Sequence, residues 1–381
     1  MSLLLFTFIL VYGGVHVYTF FKVQHAIGFG PLPGALLALF FAVMVIVPLL
    51  VRSIERLGHE TAARFLAYAG YSWMGFLFFF FSAVVVIDCY RLLLFLVAHL
   101  WNLDLDRFTV SPRTAFYVPL AWGMATSAYG YYEARDIRTE HIVLRSSKIP
   151  PDAGKLVIVQ MSDVHLGLIV RKERLATMLT KVRAAAPDLL VVTGDLVDGQ
   201  INGLTGLAGQ FQQINPRYGK YAVTGNHEFY AGVKQSLAFE ERAGFTILRE
   251  NAVQVTTFLT LAGIDDPAFN RGRGNAASAE KHLLESLPRD TFTILLKHRP
   301  AVENTSIGRF DLQLSGHVHK GQLFPFNLVT YLFYPVKSGL NALGNGSSLY
   351  VSRGTGTWGP PLRFLAPPEV TVIELLPASS E

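Results

Sequence analysis

Four apolar runs, at about Ser2–Phe21, Pro33–Val51, Tyr71–Ile87 and Ala115–Tyr131, fill most of the first third of this 381-residue chain. A segment needs roughly 20 mostly apolar residues to cross a bilayer, and such runs in succession are too many for one water-soluble core. The composition agrees. Hydrophobic residues make up 51% and charged ones 16%, with a mean hydropathy of +0.34, a balance that fits a membrane-spanning portion beside a soluble one. The first run lacks a basic flank and three more follow it, so it reads as a retained span rather than a cleaved leader. The third run continues past Asp88 and Arg91 into Leu92–Leu100, as an extended span or an interfacial helix. Asp88 and Arg91 either face one another on a helix or mark the end of the hydrocarbon layer. As the only charged candidates within the runs, they are too few for an ion path, which argues against a transporter.

Four spans place the N-terminus and the downstream domain on one side, with Arg52, Arg56, Arg64, Arg135, Arg138, Arg145 and Lys148 there. Lys22, Arg91, Arg107 and Arg113 fall opposite. The positive-inside rule then favours a cytoplasmic downstream domain. The net charge of +5 suits an anionic substrate or membrane surface, and no basic block points to nucleic acid. The single cysteine, Cys89, excludes an intrachain disulfide. Composition changes abruptly near Glu133, which divides the chain into a transmembrane helical domain (1–134), a linker (135–154) with one strand at His141–Leu144, and a soluble domain (155–381).

In the soluble part, Leu156–Met161 is a continuous apolar run, the pattern of a buried parallel strand. It ends in Ser162-Asp163-Val164-His165. Ligands bind at the carboxyl ends of strands in open α/β sheets, and an Asp and a His one residue apart suit a borderline divalent metal; the same pattern also serves as a turn with a helix cap. Leu175, Met178, Leu179 and Val182 have the spacing of an amphipathic helix over Glu173–Ala186, ended by Pro187. A second strand, Asp188–Val192, ends in Thr193-Gly194-Asp195, whose carboxylate either sits in an ordinary turn or bridges two metals roughly 3.5–4 Å apart. A third, Gly219–Val223, leads into Gly225-Asn226-His227-Glu228, where Asn offers an oxygen ligand and His227 an acid or base. Phe292–Leu296 ends at His298, and Leu312–Leu314 runs into Gly316-His317-Val318-His319. In an extended segment those last two imidazoles point to opposite faces and reach two different metals. A lone His is usually a satisfied core or surface residue; five successive strand ends that each carry Asp, Asn or His make a metal centre.

These motifs, in order and approximate spacing, resemble the calcineurin-like metallophosphoesterase superfamily over about residues 155–375. The resemblance implies an α/β fold, a four-layer αββα sandwich, with a dinuclear metal centre. It implies one metal held by Asp163, His165, Asp195 and His319, and a second by Asp195, Asn226, His298 and His317, with Asp195 bridging. His227 would lie outside both shells and protonate the leaving alkoxide or stabilise phosphoryl oxygens. The nucleophile implied is a hydroxide bridging the two ions. Oxygen and imidazole donors without thiolate admit Mn, the first choice, or Fe, Zn and Mg.

Gly316–Gln322, Tyr350–Gly356 and Pro361–Phe364 are similar to a membrane-associated branch that includes phosphodiesterases resembling YkuE and YaeI. Some of its members hydrolyse the pyrophosphate of UDP-2,3-diacylglucosamine in lipid A synthesis at the bacterial inner membrane. The resemblance thus implies a lipid-linked phosphate substrate and the bilayer as partners; alternatives are a general phospholipid or glycolipid phosphodiesterase, or a non-catalytic scaffold keeping the fold. Lys320 departs from the Gly usual at its position. Two further segments stand out. Leu323–Pro335 is unusually apolar, either buried core or a loop that dips into the membrane surface or receives an acyl chain. Asn270–Ser278 reads as a solvated insertion in which Arg271 and Arg273 could steer an anionic head group.

Overall fold

The protein is described by a computed structural model covering residues 2–199, 203–268 and 276–378. The Asn270–Ser278 insertion, with Arg271 and Arg273, lies mostly outside the described residues. The chain divides into two compact units, Met1–Tyr131 with Gly359–Leu362, and Tyr132–Trp358 with Arg363–Glu381.

The first unit is helical: α1 (Ser2–Ile27), α2 (Pro31–Arg56), α3 (Glu60–Trp101) and α4 (Pro112–Glu133). Among the described residues three helices, α1 to α3, are long and apolar enough to cross a membrane. The run at Ala115–Tyr131, expected as a fourth span, forms α4 but does not join them: Pro119, Thr126, Ser127 and three tyrosines dilute its hydropathy. The third run and its continuation are one unbroken helix of 42 residues. At 1.5 Å per residue it extends about 63 Å, roughly twice the hydrocarbon thickness. Asp88 faces α1 across the bundle, where Lys22 Nζ lies 2.6 Å from its carboxylate and Tyr18 donates to it. Asp88 thus has partners on a second helix, with the Arg91 charge considered from the sequence still near enough to act on it.

The second unit begins with β1 (Arg138–Ser146) and β2 (Leu156–Met161), then alternates through α5 (Lys172–Ala184), β3 (Leu189–Thr193), α6 (Thr205–Gln212) and β4 (Lys220–Val223). Two helices, α7 (Asn226–Ala231) and α8 (Val233–Arg242), lead to β5 (Thr246–Ile247). Its second half holds β6 (Asn251–Gln254), β7 (Leu259–Ile264), α9 (Ala276–Glu285), β8 (Phe292–Lys297), β9 (Leu312–Ser315) and α10 (Phe326–Phe333). It closes with β10 (Gly339–Gly344), β11 (Ser347–Val351) and β12 (Glu369–Pro377). The strands form two six-stranded mixed sheets, in the orders β1-β12-β2-β3-β4-β5 and β10-β11-β9-β8-β7-β6. The strand expected at His141–Leu144 within the tether is nine residues long and pairs in parallel with β12 along its whole length.

The sheets face each other through one apolar core that includes Ile158, Leu189, Val191, Leu261, Ile294, Leu296, Leu312, Leu314 and Tyr350. β3, β7 and β8 are buried at every residue, which is why β3 and β8 read as apolar runs and not as alternating ones. Leu175, Met178, Leu179 and Val182 form the buried face of α5 as their spacing required. Toward the carboxyl ends the inter-sheet filling turns polar: Gln160 Nε2 donates to Thr193 Oγ1 at 2.8 Å and to the Ser315 carbonyl at 3.2 Å. This αββα sandwich, preceded by helices able to span a membrane, is the architecture implied by the sequence resemblance.

Because Leu296 is fully buried between the sheets, Leu296→Ala should destabilise the second unit by about 2–5 kcal/mol. Val143→Ala on the half-exposed edge strand β1 should stay within about 0.5 kcal/mol. Urea unfolding of the purified full chain, followed by tryptophan fluorescence, measures both; equal effects would contradict the core described here.

Candidate metal centre

Parallel strands β2, β3, β4, β8 and β9 bring their carboxyl ends together, and the loops that leave them turn sharply. Asp163, His165 and Asp195 have φ of +52°, +53° and +53°, and His317 and His319 have +72° and +48°. Left-handed backbone disfavours side-chain-bearing residues, and such strain persists where the surroundings over-determine it. Here all five such residues lie in the loops that follow β2, β3 and β9. The φ values also correct one expectation. His317 and His319 do reach different partners, but through a left-handed turn after β9 and not by the alternation of an extended segment. Gly316 has no room for a side chain, since a Cβ would meet Ser162 Oγ at 1.9 Å and Asp163 Oδ2 at 2.2 Å.

The side chains cluster in three groups, Asp163/His165/His319, His165/Asp195/His227 and Asp195/His298/His317, each with its donor atoms within 4.8 Å of one another. His319 Nε2 is 3.2 Å from Asp163 Oδ1 and 3.1 Å from His165 Nε2. His298 Nε2 is 3.2 Å from Asp195 Oδ2 and 3.1 Å from His317 Nδ1. His165 Nε2 lies 3.8 Å from the same Asp195 oxygen, so Asp195 stands between the two sets. Asn226 opens α7 nearby; its Oδ1 is buried and has no hydrogen-bond partner among the described residues. Burial of an unpaired carbonyl oxygen is costly, and paired ring nitrogens 3.1 Å apart can share only one proton. Both features are relieved by a cation, so the donor set fits the metals implied by the sequence. Seven of the eight residues expected at the site thus cluster, and Asn226 lies between Gly225, which packs on Asp195, and His227.

The surrounding groups orient this set. His298 Nδ1 donates to the Thr193 carbonyl at 2.8 Å, leaving Nε2 directed at Asp195. His227 Nδ1 lies 2.6 Å from the Asp198 carbonyl and 3.1 Å from its carboxylate, and its backbone N–H donates to Asp195 Oδ1 at 2.8 Å. Asp198 had no role in the sequence reading, although its place three residues after Asp195 was the signal for it. Glu228 was likewise passed over. Its carboxylate accepts from the backbone N–H groups of Gly225, Asp195 and Val197 at 2.6, 3.0 and 3.2 Å, clasping the loops after β3 and β4. Arg363, fully buried, donates to the carbonyls of Gly356 and Arg353 at 2.6 Å and sets Nη2 3.1 Å from His319 Nδ1. Lys320 occupies φ +52°, ψ +26°, a conformation that glycine adopts more readily and that costs another residue roughly 1–2 kcal/mol.

The charges sort themselves accordingly. Burial alone would raise the Asp163 and Asp195 carboxyls, but His319 beside the first and His298 beside the second hold both below the usual range. Burial would lower His298 and His227; the Asp195 charge overrides it and raises them to about 10 and about 9. For His317, burial and the neighbouring His298 charge bring the pKa down to about 3, and burial brings His319 down to about 4.

The family model for calcineurin-like phosphoesterases matches residues 156–321. An uncharacterized metallophosphoesterase of Aquifex aeolicus is 38% identical over 249 residues, 65% of this chain and 95% of the relative. The chain belongs to the calcineurin-like phosphoesterase family. This phosphoesterase is also 34% identical over 277 residues to the uncharacterized metallophosphoesterase YkuE of Bacillus subtilis, covering 67% of the chain and 93% of YkuE. A transmembrane protein with metallophosphoesterase domain from Danio rerio is 33% identical over 240 residues, 60% of this chain and 55% of its own length. Membership and the clustered donors make the chain a metallophosphoesterase, a metal-dependent hydrolase with a candidate dinuclear site.

With its pKa raised to about 10, His298 is an imidazolium near neutral pH in the metal-free site, and a cation can bind its Nε2 only after that proton leaves. Affinity should therefore rise with pH, about tenfold per unit for one displaced proton, between roughly pH 6.5 and 8.5. Calorimetric titration of chelator-stripped protein with Mn²⁺, in buffers of different ionisation enthalpy, reads both the slope and the released proton. A flat affinity with no proton release would contradict the charge assignment.

Proposed function

We propose that this phosphoesterase is a membrane-anchored phosphodiesterase or pyrophosphatase acting on a lipid-linked substrate, with UDP-2,3-diacylglucosamine the first to be tested. The observation that carries the reading is the pair of donor sets joined at Asp195, with an oriented but separate imidazole, His227, beside them. In this reading Asp163, His165, Asp195 and His319 hold one cation, Asp195, Asn226, His298 and His317 hold the other, and manganese is the native metal. Two divalent cations bound there supply a water made nucleophilic near neutral pH and neutralise charge on the phosphoryl oxygens.

The chain's own groups do the rest. Asp195 fixes the spacing of the two sets. Asp198 occupies Nδ1 of His227 and so leaves Nε2 as the edge that donates a proton to the departing alkoxide. Helices long and apolar enough to cross a membrane, in the same chain, support a substrate held in the bilayer. A broader phospholipid or glycolipid phosphodiesterase is the second reading, supported by the same membrane-crossing helices beside the donor sets. The site is proposed to face the cytoplasm at a bacterial inner membrane. With α1 to α3 alone crossing, Arg52, Arg56 and Arg64 would lie opposite Arg135, Arg138 and Lys148; the proposed orientation therefore requires α4, less apolar than the other three, to cross as well, which puts all six on one side. Trypsin added to intact cells should then leave the domain uncut, and cleavage there would reverse the orientation.

Hydrolysis of bis-p-nitrophenyl phosphate by metal-loaded protein tests the assignments of residues. Asp195→Ala should fall to background, and His227→Ala should retain its metals but lose about 10²–10⁴-fold in kcat. Wild type no faster than Asp195→Ala would leave the scaffold reading standing. Lipid extracts from cells lacking the protein identify the substrate, since that lipid accumulates.

A further inference from the structure

Immediately after the last site histidine the chain forms α10, whose amphipathicity is inverted. Its polar residues, Asn327 and Thr330, lie one turn apart and are only partly exposed. Asn327 presses on the turn that carries His319: a Cβ on Gly321 would sit 2.4 Å from Asn327 Cα. The outward residues are apolar, with Leu332 exposed by 78%, Phe333 by 73% and Leu328 by 60%, and Phe326, Val329 and Tyr331 beside them. No residue of the helix is buried. A helix on a water-soluble surface turns its apolar stripe inward; this one turns it outward. Of the two readings of Leu323–Pro335 drawn from the sequence, buried core is thereby excluded for the helix.

The setting says what lies outside. Tyr334, which follows the helix, stands with its ring 5.5 Å from that of His317. Tyr230 and Trp358, 52% and 54% exposed, flank the His227 ring at 5.4 and 5.9 Å. Lys320 precedes the helix, and Lys337 follows it with Nζ 4.5 Å from the Tyr331 ring centroid. Trp and Tyr concentrate at the membrane–water interface, and Lys is drawn there by anionic head groups. The same chain carries three helices long and apolar enough to cross a bilayer, so a membrane surface is supplied by the protein itself.

We propose that α10 is an in-plane membrane helix, its Leu328/Leu332/Phe333 face sunk into the head-group and acyl boundary, so that the rim of the metal site meets the bilayer at head-group depth. The helix docks the site on the lipid surface whichever phosphodiester is cleaved there. The inference thus goes beyond the substrate reading, and the two fail separately.

The test uses the full chain with Cys89→Ser, labelled through Leu332→Cys with an environment-sensitive fluorophore and reconstituted into vesicles of phosphatidylethanolamine and phosphatidylglycerol. The control label is at Lys155→Cys, exposed at the opposite, amino end of β2. At position 332 lipids brominated near the carbonyl should quench strongly, and iodide should quench roughly threefold less than at position 155. Iodide quenching equal to that at 155, or shielding without bromolipid quenching (the mark of a protein contact such as a second copy), would overturn the proposal. In a second arm, Leu328→Ser, Leu332→Ser and Phe333→Ser are combined. Turnover of water-soluble bis-p-nitrophenyl phosphate should be unchanged, which also verifies folding, while turnover of a phosphodiester lipid in the vesicles falls roughly tenfold. An undiminished lipid rate would count against docking. If the wild type cleaves no lipid at all while position 332 is still quenched by bromolipid, the substrate reading fails and the docking stands.

Discussion

Asp195 is buried, ionised and shared, and the arrangement of the site follows from keeping it so. Its carboxylate lies within 3.2–3.8 Å of His298 and His165 and accepts from the backbone of His227. A carboxylate taken out of water needs compensating charge and hydrogen bonds, and here three different loops provide them. Its own backbone N–H is held by Glu228, which simultaneously takes those of Gly225 and Val197. One carboxylate thus locks the loops that bring the other into place. The left-handed residues belong to the same logic: Asp163, His165, Asp195, His317 and His319 are individually strained, and two tightly packed sheets hold the strand ends from which relaxation would have to start.

Residues were legible in the sequence where burial is two-sided. β3, β8 and β9 announce themselves as apolar runs because both faces are covered, and the change to Asp or His just past their ends marks where the sheet stops. Half-exposed elements lack that contrast. β1 carries charge on its open face, so nine paired residues read as a tether with a short strand. In α10 apolarity carries the same signature whether a helix is a core element or faces lipid, and only the exposure of its side chains separates the two. The helix α4 shows the converse: its length suits a crossing, but its tyrosines and hydroxyls keep it out of the apolar class. Asp198 is marked in the sequence only by its place three residues after Asp195, since a second Asp in a turn has no periodicity, and its role shows in the His227 and His165 nitrogens that its carboxylate faces.

The family match ends at residue 321, yet the site does not. Thr355 and Gly356 donate their backbone N–H groups to the carbonyls of Ser162 and Asp163 at 2.7 and 2.9 Å, so the first motif is held from behind by a segment that lies well beyond the last. Arg363 gathers that segment's carbonyls around one guanidinium and abuts His319. A buried guanidinium has five donors and no acceptor, so it can serve as a fastener for irregular backbone that no strand pairs. After this loop β12 enters the first sheet between β1 and β2, antiparallel to the strand that carries Asp163. The chain therefore has to return from the second sheet to the first before Asp163 is fixed. The motifs name the chemistry, while the rigidity that chemistry requires comes from the residues that follow them.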